Sequence, residues 1–338
     1  ATYRALIEGL KAMSPAGADS HIALLTPGPY NETYFEHAYL ARYLGLTLVE
    51  GSDLTVRDQR VYLKTLRGLE PVHGLLKRLD DEFLDPLELR PDSTLGVPGL
   101  LQAIRAGHVL VANAPGSAFL ESSALLGFLP ALSRHLLGEE LRLPALPTWW
   151  CGERASLDAV LPQLDKCVIK PTYPGSASHG SFEAALGRSM SRRELDEWAG
   201  RILREGDIYT AQTWLPLSQM PTWEPRAGGD QIEPRSMMLR VFAVADGPQS
   251  WRVLPGGLAR LASASEGIAT MQRGGSSADA WVLTDVEKGE IVDRTTLLMP
   301  QQTPAAVIQR KRLVTSRAAE NLFWMGRYTE RAENSIRL

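Results

Sequence analysis

With 338 residues, 44% of them hydrophobic, the chain can bury a sizeable core and has room for two domains of the common ~150 residues each. Thirty-six basic against thirty-nine acidic side chains leave a formal charge of −3 with no run of like charge, which argues against a nucleic-acid partner, and no apolar span of ~20 residues or leader pattern points to a membrane. Two separated cysteines, Cys151 and Cys167, exclude a disulfide framework and a cysteine zinc site and favour a reducing compartment, so a cytoplasmic location is expected.

His21 to Leu25 is a short apolar strand running into the rigid turn Thr26-Pro27-Gly28-Pro29-Tyr30, and Asn31 can cap the helix that follows through its side-chain oxygen. Glu32 suits the first turn of that helix, Gly45 its end, and Thr47-Leu48-Val49 the next strand. Thr55 to Thr65 alternates around Asp58-Gln59 as a hairpin, and Gly74 to Leu79 offers another strand. Pro98 and Gly107 bracket a helix, Val109-Leu110-Val111 makes a buried strand, and Asn113-Ala114-Pro115-Gly116-Ser117 follows where an open α/β sheet places its ligand crevice. Asn113 serves there either as a site residue or as an ordinary turn residue. A long apolar helix is predicted from Phe119 toward Leu137.

The prolines of Leu143 to Pro147 mark a domain boundary. A helix around Ser156 to Leu164 follows, and Ser191-Arg192-Arg193-Glu194 is a capping box opening a helix closed by Gly206, with Leu195, Trp198 and Ile202 on its inner face. Tyr209 to Trp214, Ser236 to Ala245, Ser250 to Leu261 with a break at Pro255-Gly256-Gly257, and Trp281 to Leu283 read as strands, so this half is expected to be mostly antiparallel sheet. From Ser316, apolar positions recur every three or four residues through Ile336, a separate helical module. The chain opens on Ala1 and stops at Leu338 within that pattern, as expected for a piece of a longer protein.

One stretch organises the rest. In Cys167 to Gly180 the β-branched Val168 and Ile169 form a strand that delivers Lys170 to its end, Pro171 stops the pairing, and a Gly/Ser run follows. Gly175 and Gly180 take backbone angles that other residues resist, and Ser176, Ser178 and free N–H groups can point at an anion such as a nucleotide phosphate. The run lacks both the P-loop and the Gly-x-Gly-x-x-Gly fingerprints, and a plain surface turn with a solvated lysine is the competing reading.

The ordered strings Leu25 to Thr33, Asp85 to Ser93, Thr148 to Gly152, Val168-Ile169-Lys170-Pro171 and Met271 to Gly275 resemble the circularly permuted ATP-grasp proteins of the second type, relatives of glutathionylspermidine synthetase-like ligases. The likeness covers residues from about 21 to 300, and Ser316 to Leu338 looks like the start of the α-E helical domain often fused behind that family. It implies a Rossmann-like pre-ATP-grasp α/β domain over 1–145, an α+β ATP-grasp region with antiparallel sheets over 146–304, and the truncated helical domain over 305–338. It further implies an ATP- and Mg-dependent carboxylate-amine ligase acting through an acyl phosphate on a small peptide or amino-acid substrate, with a possible protein partner for the helical domain.

Carried over by resemblance, Lys170 contacts nucleotide phosphates, Gly175 to Gly180 close over them, and Gln212 sits beside adenine. Arg240 and Arg260 or Arg273 would then face the phosphoryl group in flight. Such parts suit phosphoryl transfer, which needs charge neutralisation more than a protein nucleophile. An arginine on a strand such as Arg240 is equally a solvated side chain. The family's acidic-x-Asn magnesium segment is expected before Ala1; Glu88, Asp92, Glu121 and Asp279 are carboxylates without that arrangement, so the piece alone is expected to turn nothing over. A nucleotide- or peptide-binding scaffold is the alternative. In the first domain Tyr30, Glu32 and His37, beside the Pro-Gly turn, are further candidates for receiving a carboxylate.

Overall fold

The structure is a computed structural model and describes residues 2–173, 182–224, 231–262, 276–283 and 314–337. Its contacts divide into two compact units, residues 1–115 with 237–338, and residues 116–236. The first unit opens with helix α1 (Thr2–Met13), strand β1 (Ile22–Leu25), α2 (Tyr34–Leu44) and β2 (Thr47–Val49). Strands β3 (Leu54–Arg57), β4 (Arg60–Thr65) and β5 (Gly68–Val72) form an antiparallel sheet, and β6 (Gly74–Lys77), α3 (Leu100–Arg105) and β7 (Leu110–Ala112) follow.

The four strands β2, β1, β6 and β7 lie in that order in one parallel sheet. Every residue of β1 is buried, as both faces of a parallel sheet require. Ala23 and Leu25 join one core with Leu75 of β6, Val61 and Leu63 of β4, and Leu100 of α3. Ile22 and Leu24 point to the opposite face by the two-residue pleat. The connections from β1 and β2 to β6 reverse direction across β1, so the C-terminal ends of β1 and β6 are where the sheet's winding changes hand, the usual ligand crevice of such sheets.

Local chemistry explains most boundaries here. Asp58 and Gln59 both take positive φ, 49° and 58°, the geometry of a two-residue hairpin turn. Gly45 closes α2 in the left-handed region at φ 71°. The expected Asn31 cap falls short: α2 begins only after Thr33, and the Asn31 Oδ1 accepts instead from the Thr33 N–H at 3.0 Å and hydroxyl at 2.6 Å, a local turn that holds the chain out of the helix. The helix read from Phe119 to Leu137 is also broken. Only α4 (Leu125–Leu137) is α-helical, because the hydroxyls of Ser122 and Ser123 donate to the Thr172 and Pro171 carbonyls at 2.9 and 2.7 Å.

The second unit continues from α4 through β8 (Thr148–Trp150), α5 (Arg154–Val160), β9 (Cys167–Pro171), β10 (Ala185–Leu186), α6 (Arg192–Arg204), β11 (Tyr209–Thr213) and β12 (Gln219–Glu224). Its antiparallel sheet runs β10-β9-β11-β8. Ser191 and Glu194 form the expected capping box on α6. Beyond it, β13 (Gln231–Arg240) pairs with β12 over its first half and with β16 (Gly256–Leu261) over its second; β14 (Ala243–Ala245) and β15 (Trp251–Val253) make a separate ribbon. The strand expected over Ser236 to Ala245 is therefore two, split where β14 leaves to pack on α1, so closely that a side chain at Gly9 would meet the Ala245 carbonyl at 2.2 Å. Strand β17 (Ser276–Trp281) pairs with β16, and α7 (Ser316–Arg337) ends the described chain.

Helix α7 is tied to the first unit at its start. The Arg317 guanidinium forks onto the Asp53 carboxylate at 3.0 and 2.9 Å and reaches Glu50 at 3.0 Å, and Asp53 is 2% exposed. Arg317→Ala is expected to cost about 2 kcal/mol, below the usual 3–5 for a broken buried pair, because the arginine side of this pair is wet and the Glu50 N–H still reaches Asp53. Urea melts of both proteins measure it; a loss under about 0.5 kcal/mol would show the fork to be ornamental in energy.

Candidate active site on the second sheet

Antiparallel register fixes which side chains of the β8-β11-β9 sheet meet. Thr148 stands opposite Gln212, Thr210 opposite Lys170, and Gln212 opposite Val168, so Thr148, Gln212, Thr210 and Lys170 share one face. The other face carries Cys167, Ile169, Tyr209 and Ala211, which bury against Leu157, Val160, Leu164 and Ile202. That apolar layer anchors the strands and leaves the first face to polar chemistry. Helix α4 lies directly on β8: a side chain at Gly127 would meet the Thr148 carbonyl at 2.6 Å.

On the polar face the Lys170 ammonium donates to the Gln212 Oε1 at 2.6 Å, and the Gln212 Nε2 donates to the Thr148 Oγ1 at 3.0 Å. The Thr148 hydroxyl in turn donates to the Leu146 carbonyl at 2.9 Å. An ammonium has only donors, so the direction of every bond in this relay is set from Lys170 outward and the amide of Gln212 has one orientation. Thr210 and Thr172, both buried, share a bond of 3.1 Å beside it.

Electrostatically the site is unbalanced. Burial pushes the Lys170 ammonium below the ordinary lysine value, and among the described residues no carboxylate pairs with it. A half-buried cation that, among the described residues, is held by a neutral amide alone is suited to an incoming anion. Both cysteines are buried and free, their thiols pushed up to about 11 mainly by that burial, so neither is a ready nucleophile.

The family model described as "Circularly permuted ATP-grasp type 2" matches residues 1–262, more than three quarters of the chain. The chain belongs to that family. A second model, "a predicted alpha-helical domain with a conserved ER motif", matches residues 314–338, where Glu330-Arg331 supplies such a pair. Relatives of this ATP-grasp chain include an uncharacterized protein of Synechocystis sp., 38% identical over 280 residues, which span 82% of this chain and 56% of that protein. An uncharacterized protein of Mycobacterium tuberculosis is 39% identical over 267 residues, 79% of this chain and 47% of its own length. Another from the same organism is 34% identical over 330 residues, 97% of this chain and 36% of its own length. The chain thus spans about half the length of the first two and about a third of the last. Among solved structures it is similar to the ATP-grasp ligase PsnB complexed with a minimal precursor, at 12% identity and TM-score 0.38, over 72% of this chain and 86% of that one.

The remaining sequence-derived positions divide. Arg240 ends β13 opposite Leu258, and Arg260 lies on β16 opposite Met238, so the two arginines are diagonal neighbours on one sheet face. Arg240 is exposed, whereas the Arg260 Nε is buried with no hydrogen-bond partner among the described residues. Gly175, Ser176, Ser178, Gly180 and Arg273 lie outside the described residues. Glu88 is engaged by Arg105 and Asp92 by Arg90, while Glu121 and Asp279 are exposed. Among the described residues no group of three His, Cys, Asp or Glu side chains could hold a metal ion. Nor is any described helix long and apolar enough to cross a membrane.

In the first unit Tyr30 and Glu32 are exposed, but His37 is 6% exposed and bonded at both ring nitrogens, to Thr26 at 2.9 Å and Thr33 at 3.0 Å. Thr148 was the member the sequence did not single out. Its signal is the alternation Thr148-Trp149-Trp150-Cys151, in which the polar residue falls on the face shared with Gln212.

Proposed function

We propose that the full-length protein is an ATP-dependent carboxylate-amine ligase, activating a carboxylate as an acyl phosphate for attack by the amine of a small peptide or amino-acid substrate. The observation that carries this reading is Lys170, a partly buried cation on a β-strand, aimed by Gln212 and lacking an anionic partner among the described residues. In a family defined by ATP use, the anion suited to it is a nucleotide phosphate. Gln212 both fixes Lys170 and lies on the strand assigned to the adenine side. By the family resemblance, Arg240 and Arg260, adjacent on one sheet face, and Arg273 are the cations assigned to the phosphoryl group, and residues 175–180 are assigned to the nucleotide phosphates.

ATP is the group these residues suit; magnesium finds no set of three ligands among the described residues. The functional division stays 1–145, 146–304 and 305–338, and the location cytoplasmic. The test is to give the full-length protein ATP, magnesium and a carboxylate library with an amine donor, and to follow phosphate and ADP release. Turnover that falls at least about a hundredfold in Lys170→Ala supports the reading, since one lost transition-state charge contact is worth about that much. No nucleotide turnover across the library, with ATP still bound, favours the scaffold reading instead.

A further inference from the structure

An open pocket of about 570 Å³ lies along α2 in the first unit, lined by Thr33, His37, Arg78, Tyr3, Tyr39 and Tyr43 among others. Its two ends differ in chemistry. At one, the exposed Arg78 follows the C-terminal end of β6, and Thr33 and His37 belong to the start of α2, so a guanidinium and the positive end of a helix dipole meet there, with the Glu36 carboxylate of the same first turn also on the pocket wall. Arg78 has no carboxylate partner among the described residues; the neighbouring Lys77 takes Asp81 at 2.6 Å. At the other end Tyr3 packs edge-on against Tyr43 with ring centres 5.2 Å apart, and Tyr39 stacks on Tyr43 at 6.1 Å. These rings are half-exposed and wall the groove with apolar faces.

Only the Arg78 end of the pocket reaches the crevice where the parallel sheet changes winding: the Arg78 backbone N–H donates to the Leu25 carbonyl at the end of β1 at 2.8 Å. His37 at the pocket floor is bonded at both ring nitrogens: its Nε2 meets the Thr33 Oγ1, whose own proton goes to Asn31, and its Nδ1 shares a bond with the Thr26 Oγ1. Burial first, and then the Arg78 guanidinium, keep its pKa below the ordinary imidazole value, against the opposing pull of Glu36.

We infer that this pocket binds a small carboxylate with an aromatic or apolar body, the carboxylate on Arg78 and the start of α2, the body along Tyr3, Tyr39 and Tyr43. The inference does not rest on the ligase reading, since it concerns binding in a unit that carries neither Lys170 nor Gln212.

The test uses N-acetyl-L-phenylalanine as probe on the full-length protein, read by the His37 ring-proton NMR signal. A saturable shift of His37 is expected, with the signal of exposed His135 unmoved. N-acetyl-L-phenylalaninamide, which lacks the charge, and acetate, which lacks the ring, are expected to bind at least about tenfold more weakly. Arg78→Gln should lose about tenfold in probe affinity, and Tyr39→Ser, at a half-exposed site that tolerates the change, should lose affinity while leaving the fold intact. An amide that binds as tightly as the acid, a variant at Arg78 with unchanged affinity, or a His37 signal that does not respond to the probe would each overturn the inference. Inorganic phosphate separates the remaining source of anion: displacement of the probe by phosphate at lower concentration would replace carboxylate by phosphate as the pocket's ligand and overturn the assignment.

Discussion

Replacing Asp85 by alanine is expected to destabilise the chain by about 3–5 kcal/mol, the range for stripping a buried carboxylate from its hydrogen-bond donors. Asp85 is fully buried and accepts backbone N–H bonds from Leu87 at 3.0 Å, Gly99 at 3.1 Å and Leu101 at 3.0 Å. Two of these donors belong to the opening of α3, whose own cap residue, Gly99, has no side chain to satisfy them. Asp85 thus caps a helix from fourteen residues away and places a negative charge at its positive end. The surrounding loop cannot shift to compensate: a side chain at Gly96 would stand 2.0 Å from the Phe83 carbonyl, and Leu84 and Val97 are fully buried beside it. Asp85→Asn keeps one acceptor and should lose roughly half as much. Denaturant titration gives the free energies, and hydrogen exchange at the Leu87, Gly99 and Leu101 amides gives the place. If those amides keep their protection in Asp85→Ala, the cap is not what holds the loop.

That residue also shows where sequence reading stops. Asp85 stood in a string that resembled a known family, yet nothing in Asp85-Pro86-Leu87 says that its oxygens meet Gly99 and Leu101. Signals confined to a few neighbours were legible: the Asp58-Gln59 turn, the Gly45 stop, the Ser191 capping box, the buried strand β1 and the presence of β9, although Pro171, expected to stop that strand's pairing, still stands paired opposite Tyr209. Elements decided by distant partners were not. β8 went unread because Thr148-Trp149-Trp150 has too few residues to show a period, and it exists as a strand because β11 pairs with it. β5 carries Pro71, which argues against a strand, and it stands at the sheet edge where that proline withholds no needed donor. For the site the same rule holds. Lys170 and Gln212 were each picked separately, and only the register of β9 against β11 makes them one bonded pair.

That pair leads to the second large effect. The double variant Lys170→Met, Gln212→Met is expected to melt at or above the temperature of the parent while losing nucleotide binding. The site carries an ammonium partly withdrawn from water and compensated, among the described residues, only by an amide, so its charge is a liability that apolar side chains of similar volume remove. Changing both residues matters, because methionine at 170 alone would leave the Gln212 Oε1 buried without a donor, whereas Thr148 keeps its bond to the Leu146 carbonyl either way. Linkage gives an independent check. The folded chain releases the Lys170 proton more readily than the unfolded one, so parent stability rises with pH in the window just below the ordinary lysine value, and that contribution is absent from the double variant. With magnesium-ATP at a hundred times its dissociation constant, the parent full-length protein should gain about 2.7 kcal/mol and the variant almost nothing. Equal stabilisation of both by ATP would remove Lys170 from the nucleotide site. A variant that unfolds would make the relay a structural clasp, with its cation kept for packing and not for an anion.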